Sequence, residues 1–317
     1  MRAAVVGIGH FGAYHAEKYA RLDGVRLAAV VDIDIARARE VGERHDAPVF
    51  ADYRAILDSV DAVSIATPAT THYEIAKAFL ARGRHVLVEK PIAISLAEAD
   101  ELIHLARRND VVLQVGHQER YFVAELDLPS LVRGPRKIVC RRTGPFTGRG
   151  TDCNVVLDMM IHDIDLVHQI VQSPPDTVTG FAGAANGIHE DEAEATIGFA
   201  NGCTVRLFAS RVCDQRERSI RIVSAEGTLD VDFIAQTVEH RRNDLEAAVA
   251  VTAPGNGADN AAQDLVAKEI AAFVTSVRTG APPIVGGEDG RRALKTALSI
   301  NRSLRASPSR EPAEHYG

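Results

Sequence analysis

The chain has 317 residues, 46% apolar and 25% charged, with 36 Lys and Arg against 43 Asp and Glu for a net charge of −7. This is ordinary globular composition, long enough for about two domains of ~150 residues; a mildly acidic chain without a basic tract is a poor general nucleic-acid binder, and no stretch approaches the ~20 consecutive apolar residues of a membrane helix. The opening Met1-Arg2-Ala3-Ala4-Val5-Val6-Gly7 already reads as a strand, leaving no room for a signal peptide, and Cys140, Cys153, Cys203 and Cys213 fit no Cys-x-x-Cys pattern, so a cytoplasmic protein with reduced, mostly buried thiols is expected.

In the front half, apolar runs alternate with helical patterns. Residues 2–7 lead into Gly7-Ile8-Gly9-His10-Phe11-Gly12 and a helix to about Leu22. Further runs at 26–31, 49–50, 62–66, 85–89 and 111–115 are interleaved with helices near 70–81 and 95–108. Short continuous apolar strands separated by helices are what a parallel sheet covered on both faces requires. The pattern predicts an α/β doubly wound Rossmann domain over 1–117 and a second domain over 118–317. That second part begins with a strand at 137–142, a Gly-rich loop from Gly144 to Gly150 and a helix over about 155–172. Strand-like segments follow, joined by turn signals at Asn186-Gly187, Asn201-Gly202 and Glu226-Gly227, and predict a mainly antiparallel sheet. A loop over 252–260 and helices over about 261–279 and 287–305 close the chain.

The G-x-G-x-x-G run follows the first strand and opens a helix, and an acidic residue, Asp32, stands 20 positions past Gly12. That context is the one a dinucleotide fingerprint needs. Gly7 makes the tight turn, Gly9 lets backbone approach a pyrophosphate, Gly12 allows close helix packing, and the helix N-terminus supplies N–H donors. His10, Phe11 and Ile33 flank these positions and are assigned to the same cofactor site. The Asp32 carboxylate suits ribose hydroxyls and repels a 2′-phosphate, while Arg37 and Arg39 are expected on the solvent face of the second helix; NAD is therefore favoured over NADP.

Three further segments resemble the glucose-fructose oxidoreductase / inositol dehydrogenase (Gfo/Idh/MocA) family. They are Ala66-Thr67-Pro68-Ala69-Thr70-Thr71-His72, Glu89-Lys90-Pro91, and Leu157-Asp158-Met159-Met160-Ile161-His162-Asp163-Ile164-Asp165. The resemblance covers nearly the whole chain. It implies a second domain with a large open sheet that binds substrate and makes oligomer contacts, here in a homodimer or homotetramer whose monomer would expose a large apolar face. It also places Thr67, Pro68, His72, Glu89 and Lys90 beside the cofactor.

The chemistry of these residues can be read directly. Lys90 ends a parallel strand at the edge where ligands bind in open α/β sheets. Asp158 and His162 are four apart and share one helix face. A histidine near pKa ~6.5 can accept a proton at neutral pH, and a neighbouring carboxylate can orient it. His162 is the expected base and Lys90 the expected stabiliser of the developing oxyanion, with Lys90 as base the alternative. No metal is expected, because no third ligand is evident near Asp158 and His162.

Val115-Gly116-His117-Gln118-Glu119-Arg120-Tyr121 and Arg142-Thr143-Gly144-Pro145-Phe146 with Arg149 resemble the branch of the family that acts on UDP-N-acetylglucosamine. That resemblance implies oxidation of the 3-hydroxyl to a 3-keto sugar nucleotide for synthesis of a 3-amino sugar of lipid A. Substrate contacts are expected from His117, Arg120, Arg142, Arg149, Asp158 and His162. Arg141 is a further candidate cation, since guanidinium matches phosphate oxygens. Two alternatives stay open: an inositol or free-sugar dehydrogenase or reductase, and a non-catalytic NAD-binding sensor or scaffold.

Overall fold

The computed structural model describes residues 1–148, 150–183, 189–243, 249–252 and 264–306. The expected turn at Asn186-Gly187, the loop from residue 253 onward and Arg149 lie outside the described residues. The chain divides into two compact units, Met1–Tyr121 with Asp264–Leu294, and Phe122–Gln263 with Lys295–Gly317. The break near residue 121 falls close to the expected end of the Rossmann domain. The expected second domain of 118–317 needs correction, because the segment Asp264–Leu294 returns to the first unit.

The first unit is a six-stranded parallel sheet of β1 (Arg2–Val6), β2 (Arg26–Val31), β3 (Val49–Phe50), β4 (Ala62–Ile65), β5 (His85–Glu89) and β6 (Leu113–Gly116) in the order 3-2-1-4-5-6. That order reverses next to β1, the switch point at which open α/β sheets bind ligands. The helices are α1 (His10–Arg21), α2 (Ile35–His45), α3 (His72–Leu80) and α4 (Leu96–Arg108). Their starts are specified locally. Asp34 caps α2 by accepting from the Ala36 and Arg37 N–H groups, and Ser95 and Glu98 form a reciprocal capping box on α4.

The returning segment carries α8 (Leu265–Thr279), capped by Asp264 and ended by the left-handed Gly280. Its Ile270, Phe273 and Val274 enter the same core as Val5, Tyr19, Val30 and Leu87. That burial gives the physical reason for the corrected boundary: an apolar helix face follows the core it fills, not its place in the chain. Beyond α8, the Val285 carbonyl accepts from the Val115 N–H, extending the edge of β6.

The second unit begins within α5 (Glu119–Glu125) and continues through α6 (Leu128–Leu131), β7 (Lys137–Thr143), a π-helical turn (Val156–Met160) and α7 (Ile161–Val171). Strands β8 (Pro175–Ala182), β9 (Glu192–Phe199), β10 (Thr204–Ser210), β11 (Glu217–Val223), β12 (Gly227–Asp232), β13 (Thr237–Arg242) and β14 (Val249–Thr252) complete an eight-stranded sheet of order 14-13-12-11-7-10-9-8. All its pairings are antiparallel except β7 with β10. The last helix, α9 (Gly287–Ala306), passes from the first unit to the second at Lys295.

Register alternates cleanly across this sheet. Ile138, Cys140, Ala193, Ala195, Ile197, Val205, Leu207, Ile220 and Ile222 are buried on one face. The opposite face presents Glu194, Arg206, Arg141, Arg221 and Asp230, with Arg206 to Glu194 at 2.7 Å and Arg141 to Glu217 at 2.9 Å. The large exposed apolar face that was expected is thus corrected to a charged one, the usual state of a half-solvated antiparallel sheet. Among the described residues, no helix is long and apolar enough to cross a membrane. Cys140, Cys153 and Cys203 are buried free thiols and Cys213 is partly buried.

Within the core of this unit, Arg142 and Asp163 are 3% and 2% exposed, and Arg142 donates to Asp163 from Nη2 at 2.7 Å and from Nε at 3.1 Å. Arg142→Met strands a buried carboxylate and is expected to cost about 3–5 kcal/mol in urea unfolding, with the double change Arg142→Met, Asp163→Leu recovering most of it. Equal stability of the single and double variants would contradict a buried pair.

Candidate functional site

In the first unit the glycine loop is tight on one side and open on the other. A Cβ on Gly7, at φ +87°, would lie 2.7 Å from the Ala66 backbone, and one on Gly12 would overlap the Gly7 carbonyl oxygen. A Cβ on Gly9 would meet nothing within 4 Å. The N-terminus of α1 has no side-chain cap and no acidic residue in its first turn. Open backbone at Gly9 against uncapped helix N–H groups is the arrangement a pyrophosphate fits.

Asp32, 7% exposed at the end of β2, fixes this loop. Its Oδ2 accepts the Ile8 N–H at 2.7 Å and its Oδ1 accepts the Asp34 N–H at 2.8 Å. Arg37 and Arg39 are exposed on α2, as expected, and the Arg37 guanidinium lies 3.1 Å from Asp34 and 3.6 Å from Asp32. Its place in the first turn of α2, three residues after Asp34, brings it there. Beside them Ile33 is 94% exposed and Phe11 43% exposed, apolar surface next to the loop.

The loops after β4 and β5 are tied together through His72, which is 1% exposed. Its Nδ1 is 2.8 Å from the Pro91 carbonyl and its Nε2 is 2.9 Å from the Thr67 carbonyl. Thr71 Oγ1 donates to the Pro68 carbonyl at 2.7 Å. His72, expected beside the cofactor, braces the loops that carry Thr67, Pro68 and Lys90. Lys90 is half-buried at the head of the cis Lys90–Pro91 bond. Glu89, also expected beside the cofactor, is mostly buried, with its Oε1 3.2 Å from His15 Nε2.

The segment after β6 also turns inward. His117 is 2% exposed, and burial, then the nearby Arg120 charge, push its imidazole down to about 3. Arg120, 6% exposed, donates to the Ile284 carbonyl at 3.1 Å and lies 3.5 Å from Asp289. These two were expected at the substrate. The structure places both in the interior, where Arg120 ties the chain near Ile284 and Asp289.

In the second unit Asp158 and His162, both half-buried, stand on the π-helical turn and the first turn of α7. Wide turns of this kind concentrate at functional sites. The Asp158 carboxylate fills the space where a Cβ on Gly150, φ +64°, would fall. Arg211 Nη1 approaches Asp158 to 3.7 Å, while Arg211 Nε donates to Asp191 at 2.6 Å and Nη1 donates to the Gly150 carbonyl at 2.5 Å. Arg211 thus fastens both the Gly-rich loop and Asp158. Nothing in its sequence surroundings, Ser210-Arg211-Val212, sets it apart from other arginines. Arg142 is held by Asp163 as described above, and Arg141 pairs with Glu217 and stacks 5.0 Å from the Phe208 ring. Arg142 is thus an interior guanidinium, while Arg141, a further candidate cation, stays about half exposed beside Glu217.

Comparison with known proteins gives this arrangement a context. Residues 1–117 match the oxidoreductase family with an NAD-binding Rossmann fold, and residues 134–230 match the GFO/IDH/MocA C-terminal domain. The chain is 36% identical to the UDP-N-acetylglucosamine 3-dehydrogenase of Acidithiobacillus ferrooxidans, over 96% of this chain and 98% of that one. A solved structure of that enzyme superimposes with a TM-score of 0.88 over 96% of this chain and 98% of that one, at 35% identity. The myo-inositol 2-dehydrogenase of Thermotoga maritima is 26% identical over the full length of both chains. The chain belongs to the GFO/IDH/MocA family of oxidoreductases, whose N-terminal domain is an NAD-binding Rossmann fold.

Proposed function

We propose that the protein oxidises the 3-hydroxyl of UDP-N-acetylglucosamine to the 3-keto sugar nucleotide with NAD, in the cytoplasm, as a step toward a 3-amino sugar of lipid A. The observation that carries this reading is the likeness to the Acidithiobacillus ferrooxidans enzyme at 36% identity along nearly all of both chains. NAD, when bound, supplies the hydride acceptor. The chain supplies the rest. Backbone at Gly9 and the N–H groups of α1 hold the pyrophosphate, and Asp32 accepts from the adenosine ribose. His162 takes the hydroxyl proton, Asp158 orients its ring, and Lys90 stabilises negative charge building on the oxygen. A pair built for proton transfer has no purpose in a sensor.

The likeness to a myo-inositol 2-dehydrogenase, 26% identical over both full lengths, supports a second reading as an inositol dehydrogenase. Growth of the reduced-nicotinamide absorbance with UDP-N-acetylglucosamine and not with myo-inositol is the expected result, and the reverse selects the second reading. His162→Asn and Lys90→Met are each expected to lower turnover by roughly 10²–10⁴-fold with NAD affinity retained, and Asp158→Asn by less. Near-normal turnover in His162→Asn removes it from the role of base and leaves that role to Lys90. Asp32→Ala should weaken NAD binding and narrow the preference over NADP, read as the ratio of kcat/KM for the two cofactors. A native preference for NADP would defeat the charge argument.

A homodimer or homotetramer is also proposed. Protein interfaces as a whole are about as apolar as the remaining surface, so a charged sheet face can still mate. Light scattering at micromolar concentration should give a mass two or four times that of the chain; a monomer would count against it.

A further inference from the structure

Behind the end of β5 lies a group of ionisable side chains that the reaction above does not use. His15 on α1, Glu89 on β5 and Glu269 on α8 are 0%, 7% and 0% exposed. His15 Nε2 is 3.2 Å from Glu89 Oε1, and one ligand-type atom of each side chain lies within 4.8 Å of those of the other two. Neither carboxyl oxygen of Glu269 has a hydrogen bond of good geometry. The other groups facing the cluster are Tyr19 of α1 and, after β6, His117, Glu119, Arg120 and Tyr121, with Lys90 next to Glu89.

Two ionised carboxylates this close and this deeply buried would repel strongly, because burial weakens screening. One proton on the pair removes the repulsion. Both oxygens of Glu269 are wholly interior, whereas Glu89 adjoins the His15 ring. The proton therefore belongs on Glu269.

We propose that Glu269 is a positioning residue held as the neutral carboxylic acid, so that Glu89 is the single carboxylate of the pair at the strand end from which Lys90 projects. The link to Lys90 rests on the functional reading above; the proton on Glu269 does not. Burial first, then the charges of Glu89 and Glu119, push Glu269 well above the ordinary 4.5, in keeping with the geometry.

The test uses the pH dependence of stability. Glu269→Gln keeps the shape and is neutral at every pH. Above 4.5 the unfolded chain has lost this proton while the folded wild type still holds it. The native state then binds more protons, so the wild type loses stability as pH rises. The melting temperature of Glu269→Gln relative to wild type should accordingly climb from about pH 5 to about pH 8. Turnover in Glu269→Gln is expected to exceed that of Glu89→Gln by roughly tenfold or more, because only the second change removes the anion.

A melting difference that stays flat or shrinks with pH would mean that Glu269 is ionised in the folded protein, and the proposal fails. Stoichiometric divalent metal in the purified wild type, lost in Glu269→Gln, overturns it as well. Equal turnover in the two glutamine variants removes the positioning role. Should Glu269→Gln not fold, carbon-13 carboxyl NMR of glutamate-labelled wild type replaces it: one glutamate must stay protonated at neutral pH. If Lys90→Met keeps its turnover, the reading of Lys90 fails while the melting comparison still decides the state of Glu269.

Discussion

The imidazole of His72 holds two loops at once, and much of the first unit's functional edge depends on it. Its two nitrogens face the carbonyl oxygens of Thr67 and Pro91, one on the loop after β4 and one on the loop after β5. A neutral ring can donate to only one of them, so both contacts are hydrogen bonds only when the ring is doubly protonated. Asp32 does the equivalent work for the loops after β1 and β2, drawing the Ile8 and Asp34 N–H groups onto one carboxylate. Loops at the mouth of a parallel sheet have no ladder of their own to fix them. Here buried polar side chains take its place, and each satisfies backbone groups that would otherwise be stranded.

The second unit follows the same rule with arginine. Arg211 joins Asp191, the Gly150 carbonyl and the neighbourhood of Asp158, so one rigid fork sets both the Gly-rich loop and the carboxylate beside His162. Arg142 and Asp163 pin α7 to β7 from the opposite side of the helix. Five donors in a planar fork suit such joints better than the single mobile ammonium of lysine. The helix that bears His162 is therefore held by charge pairs at its start, in addition to Ile164, Val167 and Ile170 packed in the core. A proton-transfer pair needs that stiffness, since small misplacements of a base cost large factors in rate.

How much of this was legible in the sequence divides along a physical line. Strands, helices and the glycine loop are set by local pattern, and runs such as Ala62-Val63-Ser64-Ile65 or the Ser95 capping box are recognisable within a few residues. The fate of α8 was not legible, because its apolar face would suit any core, and the sequence does not say which core lies nearest. The surroundings of the polar residues were hidden for a related reason. Arg120 and Arg142 have the right chemistry to meet a phosphate, yet the structure gives each an interior position with partners from distant stretches: Ile284 and Asp289 for Arg120, Asp163 for Arg142. Single-sequence reading ranks such side chains by what they could bind and cannot see what already binds them. Arg211 and Glu269 show the converse, being buried ionisable residues with no local mark at all.

This asymmetry explains why the residues proposed to react are the readable ones. Lys90, Asp158 and His162 stay half-buried, between solvent and core. A group that must exchange protons with a substrate cannot be fully enclosed, so its position is set from one side only and a short motif suffices to place it. The residues behind them, His15, Glu269, His72 and Arg211, are closed in on every side. Burial raises the cost of any uncompensated charge among them, which makes their protonation states part of the fold itself. A change in one of these hidden groups acts on the chemistry through the backbone of a neighbouring loop. It can alter turnover at the edge of the sheet while leaving every exposed residue in place.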